Sequence, residues 1–292
     1  MNHLLIFGYG FTGQALARRL GADGWRVTAV VRSEATAAKA RAQGVTPVST
    51  DDRPGLVDAL KTATAILITA PPTEAGCPGL NTLIPALAEA NAFPDWIGYL
   101  STTGVYGDRE GRWVFEAGPL NARSVESARR VSAERDWRQV GRGMGLTVTA
   151  FRLPGIYGPG RSALDRVRDG TAHGIVKPDQ MFSRIHVDDI ASGLAASIAR
   201  PRAGASYNLC DDEPAPSHEV NAFAARLLGL PAPPLVAFDD ADLTPAARRF
   251  WGENKRVSNA LAKAELGWRP AYPTYREGLT AVLAAEPEGT LT

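Results

Sequence analysis

A doubly wound parallel α/β sheet of about seven strands, with a small C-terminal lobe, is the fold class this 292-residue sequence predicts. Three observations carry it. The chain opens on an apolar run, residues 4–7, that passes straight into Gly8-Tyr9-Gly10-Phe11-Thr12-Gly13. Short apolar runs then alternate with helical stretches as far as residue 210, the pattern of parallel strands joined by crossover helices. Beyond that point, proline-rich pieces at 231–234 and 270–273 bracket short helices, a texture expected of a lobe over the carboxyl edge of the sheet.

The first element is a strand, a tight turn and a helix over 14–20. In a G-x-G-x-x-G turn, Gly8 permits the bend, Gly10 lets backbone N–H groups approach a pyrophosphate, and Gly13 lets the helix lie close to the strand. Tyr9, Phe11 and Thr12 complete that loop, and the helix N-terminus adds a positive dipole end. The segment therefore predicts a dinucleotide site on a Rossmann-type sheet. A second strand, 27–31, ends at Arg32-Ser33, nineteen residues after Gly13, where such a fold meets the adenosine ribose. A basic residue there accommodates a 2′-phosphate, so Arg32 favours NADP(H), with NAD(H) possible; the alternative is a solvated strand-end arginine.

The alternation continues with a helix over 34–43, a short strand over 46–49 and a helix over 55–61. Asp52 offers an acceptor near an adenine ring. A strand over 65–69, apolar enough for burial on both faces, stops at Ala70-Pro71-Pro72, because proline cannot continue it; the middle of the cofactor is expected there. A helix over 81–90, a strand over 96–100 running into Ser101-Thr102-Thr103, a helix over 126–140 and strands over 146–153 and 205–210 complete the sheet. Asp188 or Asp189 is expected to cap a helix reaching Ala199, and Ser217 to cap one over 217–228. Crossovers of this kind are right-handed. The whole chain, 1–292, reads as a single Rossmann-type domain, its substrate lobe drawn mainly from about 158–186 and 211–292.

Composition narrows the functional classes. With 32 basic and 31 acidic residues and no long block of one sign, nothing marks a nucleic-acid partner or an anionic membrane. Cys77 and Cys210 stand far apart without metal-ligand spacing, so two reduced thiols and no metal are expected. No apolar run reaches about 18 residues and no leader precedes the first strand, which predicts a cytoplasmic protein working on a small molecule.

Five further segments stand in order: 100–107 (Leu-Ser-Thr-Thr-Gly-Val-Tyr-Gly), 152–161 (Arg-Leu-Pro-Gly-Ile-Tyr-Gly-Pro-Gly-Arg), 184–190 (Arg-Ile-His-Val-Asp-Asp-Ile), 207–214 (Tyr-Asn-Leu-Cys-Asp-Asp-Glu-Pro), and Lys255-Arg256-Val257-Ser258-Asn259 followed by Leu266-Gly267-Trp268. Together they resemble the extended, NAD-dependent epimerase/dehydratase branch of the short-chain dehydrogenase/reductase superfamily. Two departures stand out. The extended glycine signature usually reads G-x-x-G-x-x-G. The Y-x-x-x-K pair is replaced: aligning on Glu134 places Glu126 at the tyrosine and Arg130 at the lysine. In the family the tyrosine exchanges a proton with the substrate oxygen while the lysine holds the ribose and lowers the tyrosine pKa. Arg130 can hold ribose hydroxyls but cannot serve as a base, and a glutamate carboxyl, ordinarily about six units more acidic than a tyrosine hydroxyl, is a poor stand-in at position 126 unless strongly buried.

The resemblance implies roles for other residues. Thr102 matches the catalytic Ser/Thr position, where its hydroxyl either binds a substrate carbonyl or satisfies the strand-end backbone. Tyr106 and Tyr157 are either substitute acids or packing residues. Thr103, Arg161, Arg184 and Arg256 fall in segments facing a substrate cleft, the arginines suited to a phosphate or carboxylate or else solvated, and Pro154 is expected beside the cofactor. The implied activity is an NAD(P)-dependent oxidoreductase or epimerase-like reaction on a small, anionic or sugar-like substrate. A homodimer pairing through the 126–140 helix is implied as well. The alternative is a protein that retains the nucleotide site without redox chemistry and serves as a sensor.

Overall fold

The computed structural model describes residues 2–286; the last six positions of the expected lobe, 287–292, lie outside them. Seven strands form one parallel sheet: β1 (His3–Phe7), β2 (Arg26–Val31), β3 (Thr46–Ser49), β4 (Ala65–Ile68), β5 (Trp96–Thr102), β6 (Val148–Leu153) and β7 (Ser206–Asn208). Their spatial order is β7-β6-β5-β4-β1-β2-β3, and every pairing is parallel. The order reverses between β1 and β4, so a crevice opens at their carboxyl ends, where ligands bind in sheets of this kind.

Between the strands run α1 (Phe11–Ala22), α2 (Glu34–Ala42), α3 (Arg53–Leu60), α4 (Pro78–Ala90) and α5 (Val125–Met144). Successive strand side chains point to opposite faces, and the apolar runs fill both. Leu4, Ile6, Leu67 and Phe151 pack with Leu16 and Leu20 of α1. Leu5, Phe7, Ile66 and Ile68 pack on the other side with Leu56, Leu83 and Trp137, from α3, α4 and α5.

The lobe is assembled from α6 (Ala163–Arg168), which follows β6, then α8 (Ser217–Leu227), α9 (Pro245–Trp251) and α11 (Tyr275–Ala284). Leu164, Val220, Ala224 and Leu279 give it a core of its own. Two helices from the same half of the chain belong to the sheet instead. Helix α7 (Val187–Ala199) lies against α1, and α10 (Ala260–Leu266), inside the range expected for the lobe, packs Ala262 and Leu266 into the sheet core. Short parallel strand pairs join distant stretches of chain: Gly155–Tyr157 with Arg184–His186, Gly174–Val176 with Leu235–Ala237 inside the lobe, and Trp113–Val114 with Arg256–Val257.

Two expected caps differ. His186, not Asp188 or Asp189, accepts from the first turn of α7 through Nδ1, 3.2 Å from the Asp188 N–H. Asp189 is drawn inward, where its carboxylate accepts from the Ala271 and Tyr272 N–H groups at 2.6 and 3.1 Å. Helix α8 begins with Ser217 as its first helical residue after Pro216, and Ser217 makes no side-chain cap. No helix among the described residues is long and apolar enough to cross a membrane.

Candidate active site

The glycine turn sits at the switch point. Gly8 has φ +95°, and a Cβ there would lie 2.7 Å from Thr69 Oγ1, so both conformation and space demand glycine. Thr69 Oγ1 in turn donates to Gly8 O at 2.7 Å, bracing the turn against the end of β4. Gly10 is the N-cap of α1 and has no side-chain cap, and a Cβ added there would meet nothing within 4 Å. The first N–H groups of α1 have no intrahelical acceptor, and the space before them is open. Gly13 faces Ile6, 3.1 Å from its Cγ2 to an added Cβ, and Thr12 is buried. These residues fit a pyrophosphate.

Around that turn the expected contacts divide. Arg32 is exposed at the end of β2. Ser33 and Asp52 cap α2 and α3, accepting from the Thr36 and Gly55 N–H groups. Ala70 leaves β4 beside Gly8, with its N–H bonded to Phe7 O, and Pro71 and Pro72 follow. Tyr9 turns away from the nucleotide path, for its ring is buried and its hydroxyl donates to Gln43 Oε1 at 2.6 Å. Phe11 carries the Arg161 guanidinium 5.7 Å above its ring, at the seam between sheet and lobe.

A cavity of about 390 Å³ lies between the carboxyl end of β5, the start of α5 and the lobe. Thr102, Thr103 and Pro154 line it, as does Glu126, exposed in the first turn of α5. Thr102 Oγ1 accepts from the Gly104 N–H at 3.1 Å, leaving its own hydrogen to donate. Sequence reasoning passed over the remaining polar groups: Ser124, Ser127, Ser183, Arg249, Glu253 and Lys255. Ser124 caps α5 and donates to Ser127 Oγ at 2.9 Å. Ser127 and Thr102 flank Gly104, whose added Cβ would stand 2.4 Å from Ser127 Oγ and 3.4 Å from Thr102 Oγ1. Met181, Phe182, Phe250 and Val257 make an apolar wall, with the Phe182 and Phe250 rings stacked at 5.2 Å.

Several expected site residues are committed elsewhere. Tyr106 is fully buried; Arg152 Nη1 donates to its hydroxyl at 3.0 Å and the hydroxyl donates to Asn208 Oδ1 at 2.8 Å. Burial pushes its pKa up to about 12, and it is not among the residues that line the cavity. Arg130 donates to the Leu100 carbonyl and lies over the Tyr99 ring, beneath β5. Arg184 spends its guanidinium on the Phe182 and Ala215 carbonyls, each at 2.9 Å, and Arg256 bonds Gly111 O. Tyr157 is buried against His186 and under Gly278, with burial and then Asp211 raising its pKa. Glu134, used above only to align the helix, is the centre of a buried network. It accepts from Ser101 at 2.5 Å and pairs with Arg152 at 2.8 Å, both side chains almost wholly enclosed.

The comparisons agree with this geometry. In Escherichia coli K12, protein YeeZ is 32% identical over 295 residues, covering 94% of this chain and 97% of that one. A functionally unknown conserved protein from Silicibacter pomeroyi DSS is 48% identical and superposes with a TM-score of 0.90, covering 97% and 99% of the two chains. The dTDP-glucose 4,6-dehydratase DesIV of Streptomyces venezuelae, solved with NAD bound, shares the fold at 22% identity and a TM-score of 0.76, over 97% and 96% of the chains. Residues 4–210, which span the glycine turn, the β5 end and the whole sheet, match the profile of one family. The chain belongs to the NAD dependent epimerase/dehydratase family.

Proposed function

We propose that the protein is an NAD(P)-dependent oxidoreductase of this family, transferring hydride to or from a small carbonyl or alcohol substrate held in the cavity beside Thr102. One observation carries the reading: the open helix N-terminus at Gly10 and the Thr102 hydroxyl lie on the same carboxyl edge of the sheet, on β1–α1 and on β5. When bound, the nicotinamide supplies or takes the hydride. Gly8 and Gly10 admit the pyrophosphate, α1 offers it N–H groups, and Thr102 donates to the substrate oxygen as negative charge develops there. Exposed Arg32 supports a preference for NADP(H) through its fork on a 2′-phosphate. DesIV, solved with NAD bound, supports nicotinamide nucleotides as the cofactor class.

A rival reading, nucleotide binding without turnover, is favoured by Glu126 and Arg130 at the two positions where the family's proton-transfer pair belongs. Titrating NADPH and NADH by nicotinamide fluorescence, then following absorbance with a broad panel of aldehydes, ketones and keto acids, separates the two. Turnover of at least one carbonyl compound is expected; tight binding with none oxidised or reduced would establish the sensor.

A further inference from the structure

Resting on the oxidoreductase reading, we infer that Lys255 is the catalytic proton donor, reaching the substrate oxygen from the lobe side of the cavity in place of the missing tyrosine. The cavity offers few candidates. Thr102, Thr103, Ser124, Ser127 and Ser183 carry hydroxyls that hydrogen-bond but do not ionise near neutral pH, a guanidinium such as that of Arg249 does not act as a general acid, and the Glu253 carboxylate is engaged by Lys255 Nζ. Glu126 is solvent-exposed. Lys255 is different, for its side chain is only 11% exposed and lines the cavity.

Its position is fixed by the loop that carries Thr102. Nζ donates to Gly107 O at 3.0 Å, and Gly107 ends the 3₁₀ turn Thr103–Tyr106 that follows β5. A second donor is spent on Glu253, 2.5 Å away and 17% exposed. An ammonium has three N–H bonds, so one remains. As hydride reaches the carbonyl carbon, the carbonyl π pair moves to oxygen, a Nζ–H bond breaks and an O–H bond forms. Lys255 is left neutral and takes its next proton from water. The oxidative direction runs the same transfer backwards.

The charges around Nζ suit this work. Burial lowers the Lys255 pKa below the ordinary lysine value, bringing it toward the range where donation is efficient; Glu253 and Asp108 oppose the shift and Arg109 adds to it. Removing Glu253 therefore lowers the pKa further. For carbonyl reduction the protonated form is the active one, so kcat/KM falls as pH rises through that pKa.

Two measurements test the assignment. With a carbonyl compound found by the panel, Lys255→Met is expected to lose about 10²–10⁴-fold in kcat while the NADPH Kd stays within about threefold. Glu253→Gln should move the descending limb of the pH profile to lower pH. A Lys255→Met enzyme within about fivefold of the parent overturns the proposal. Independently of turnover, trace acetylation with acetic anhydride, mapped by mass spectrometry across pH, reads the Lys255 midpoint directly. It is expected below those of exposed Lys39 and Lys61, and lower again in Glu253→Gln. A midpoint shared with the surface lysines overturns the assignment even if the oxidoreductase reading holds. Absence of turnover with a depressed midpoint overturns that reading and, with it, the donor role.

Discussion

The two sides of the carboxyl edge have been treated differently. At β1–α1, each structural demand of a nucleotide site is met by the residue type expected: a glycine with φ +95° at the turn, an uncapped helix start and open space before it. At β5–α5, only Thr102 keeps its place. The helix positions that normally carry proton transfer hold an exposed Glu126 and an Arg130 bonded to the Leu100 carbonyl. Backbone geometry constrains the first region, because few side chains can occupy it. The second depends on side-chain chemistry, which a different wall of the same cavity can supply.

The sharpest way to separate structural from catalytic charge on the β5–α5 side is the buried Arg152–Glu134 pair. Arg152→Ala leaves Glu134 enclosed without a partner and is expected to cost about 3–5 kcal/mol of stability, read as a lowered urea midpoint. Replacing both with Leu and Met is expected to recover most of it, because the desolvation of two charges disappears with their attraction. If Arg152→Ala instead folds normally and loses only turnover, the network belongs to the chemistry and the contrast between the two regions fails.

On the opposite side, Gly8→Val forces a β-branched residue into positive φ with its Cβ on Thr69 Oγ1. Strain of about 1–3 kcal/mol is expected, together with at least about a tenfold loss of nucleotide affinity as the turn shifts. Thr69→Ala should weaken the same turn less, since it removes one hydrogen bond to Gly8 O. Thr102→Ala probes the shared edge from β5: kcat is expected to drop about 10²-fold with nucleotide binding unchanged. An unchanged kcat would take Thr102 out of the reaction.

How much of this was legible in the sequence follows the same divide. Most of the seven strands and the glycine turn rest on local signals, apolar-rich runs of four to seven residues and a fixed glycine spacing, so they read directly and their ends move by only a few positions. The strand pairs Trp113–Val114 with Arg256–Val257 and Gly174–Val176 with Leu235–Ala237 are two or three residues long and joined across distant chain, with no period to betray them. Glu134 and Arg152 were both in view, yet their pairing needs α5 to lie across β6, which no spacing encodes. Tyr106 stayed open between substitute acid and packing residue for the same reason: only the folded chain shows Asn208 and Arg152 engaging its hydroxyl. Lys255 stood within a segment matched to the family, but its relation to Thr102 arises only when the lobe folds back on the loop ending at Gly107.

Arg32 tests how far the conformity of the nucleotide side extends. Arg32 is exposed, so its charge acts through water and its contribution is modest. A bidentate contact with a 2′-phosphate, partly screened, is worth about 1.5–3 kcal/mol, whereas a 2′-hydroxyl offers the same fork little to hold. Arg32→Asp should therefore raise the NADPH Kd by about 10- to 100-fold and leave NADH nearly unchanged or slightly tighter, because an acidic residue at this place can accept from the ribose hydroxyl. Fluorescence titration at two salt concentrations checks both parts, since the NADPH advantage should shrink as salt rises. Equal weakening of the two nucleotides would mean that the arginine supports the end of β2 and does not read the ribose, and the glycine turn would then be the whole of what the β1–α1 side contributes to cofactor choice.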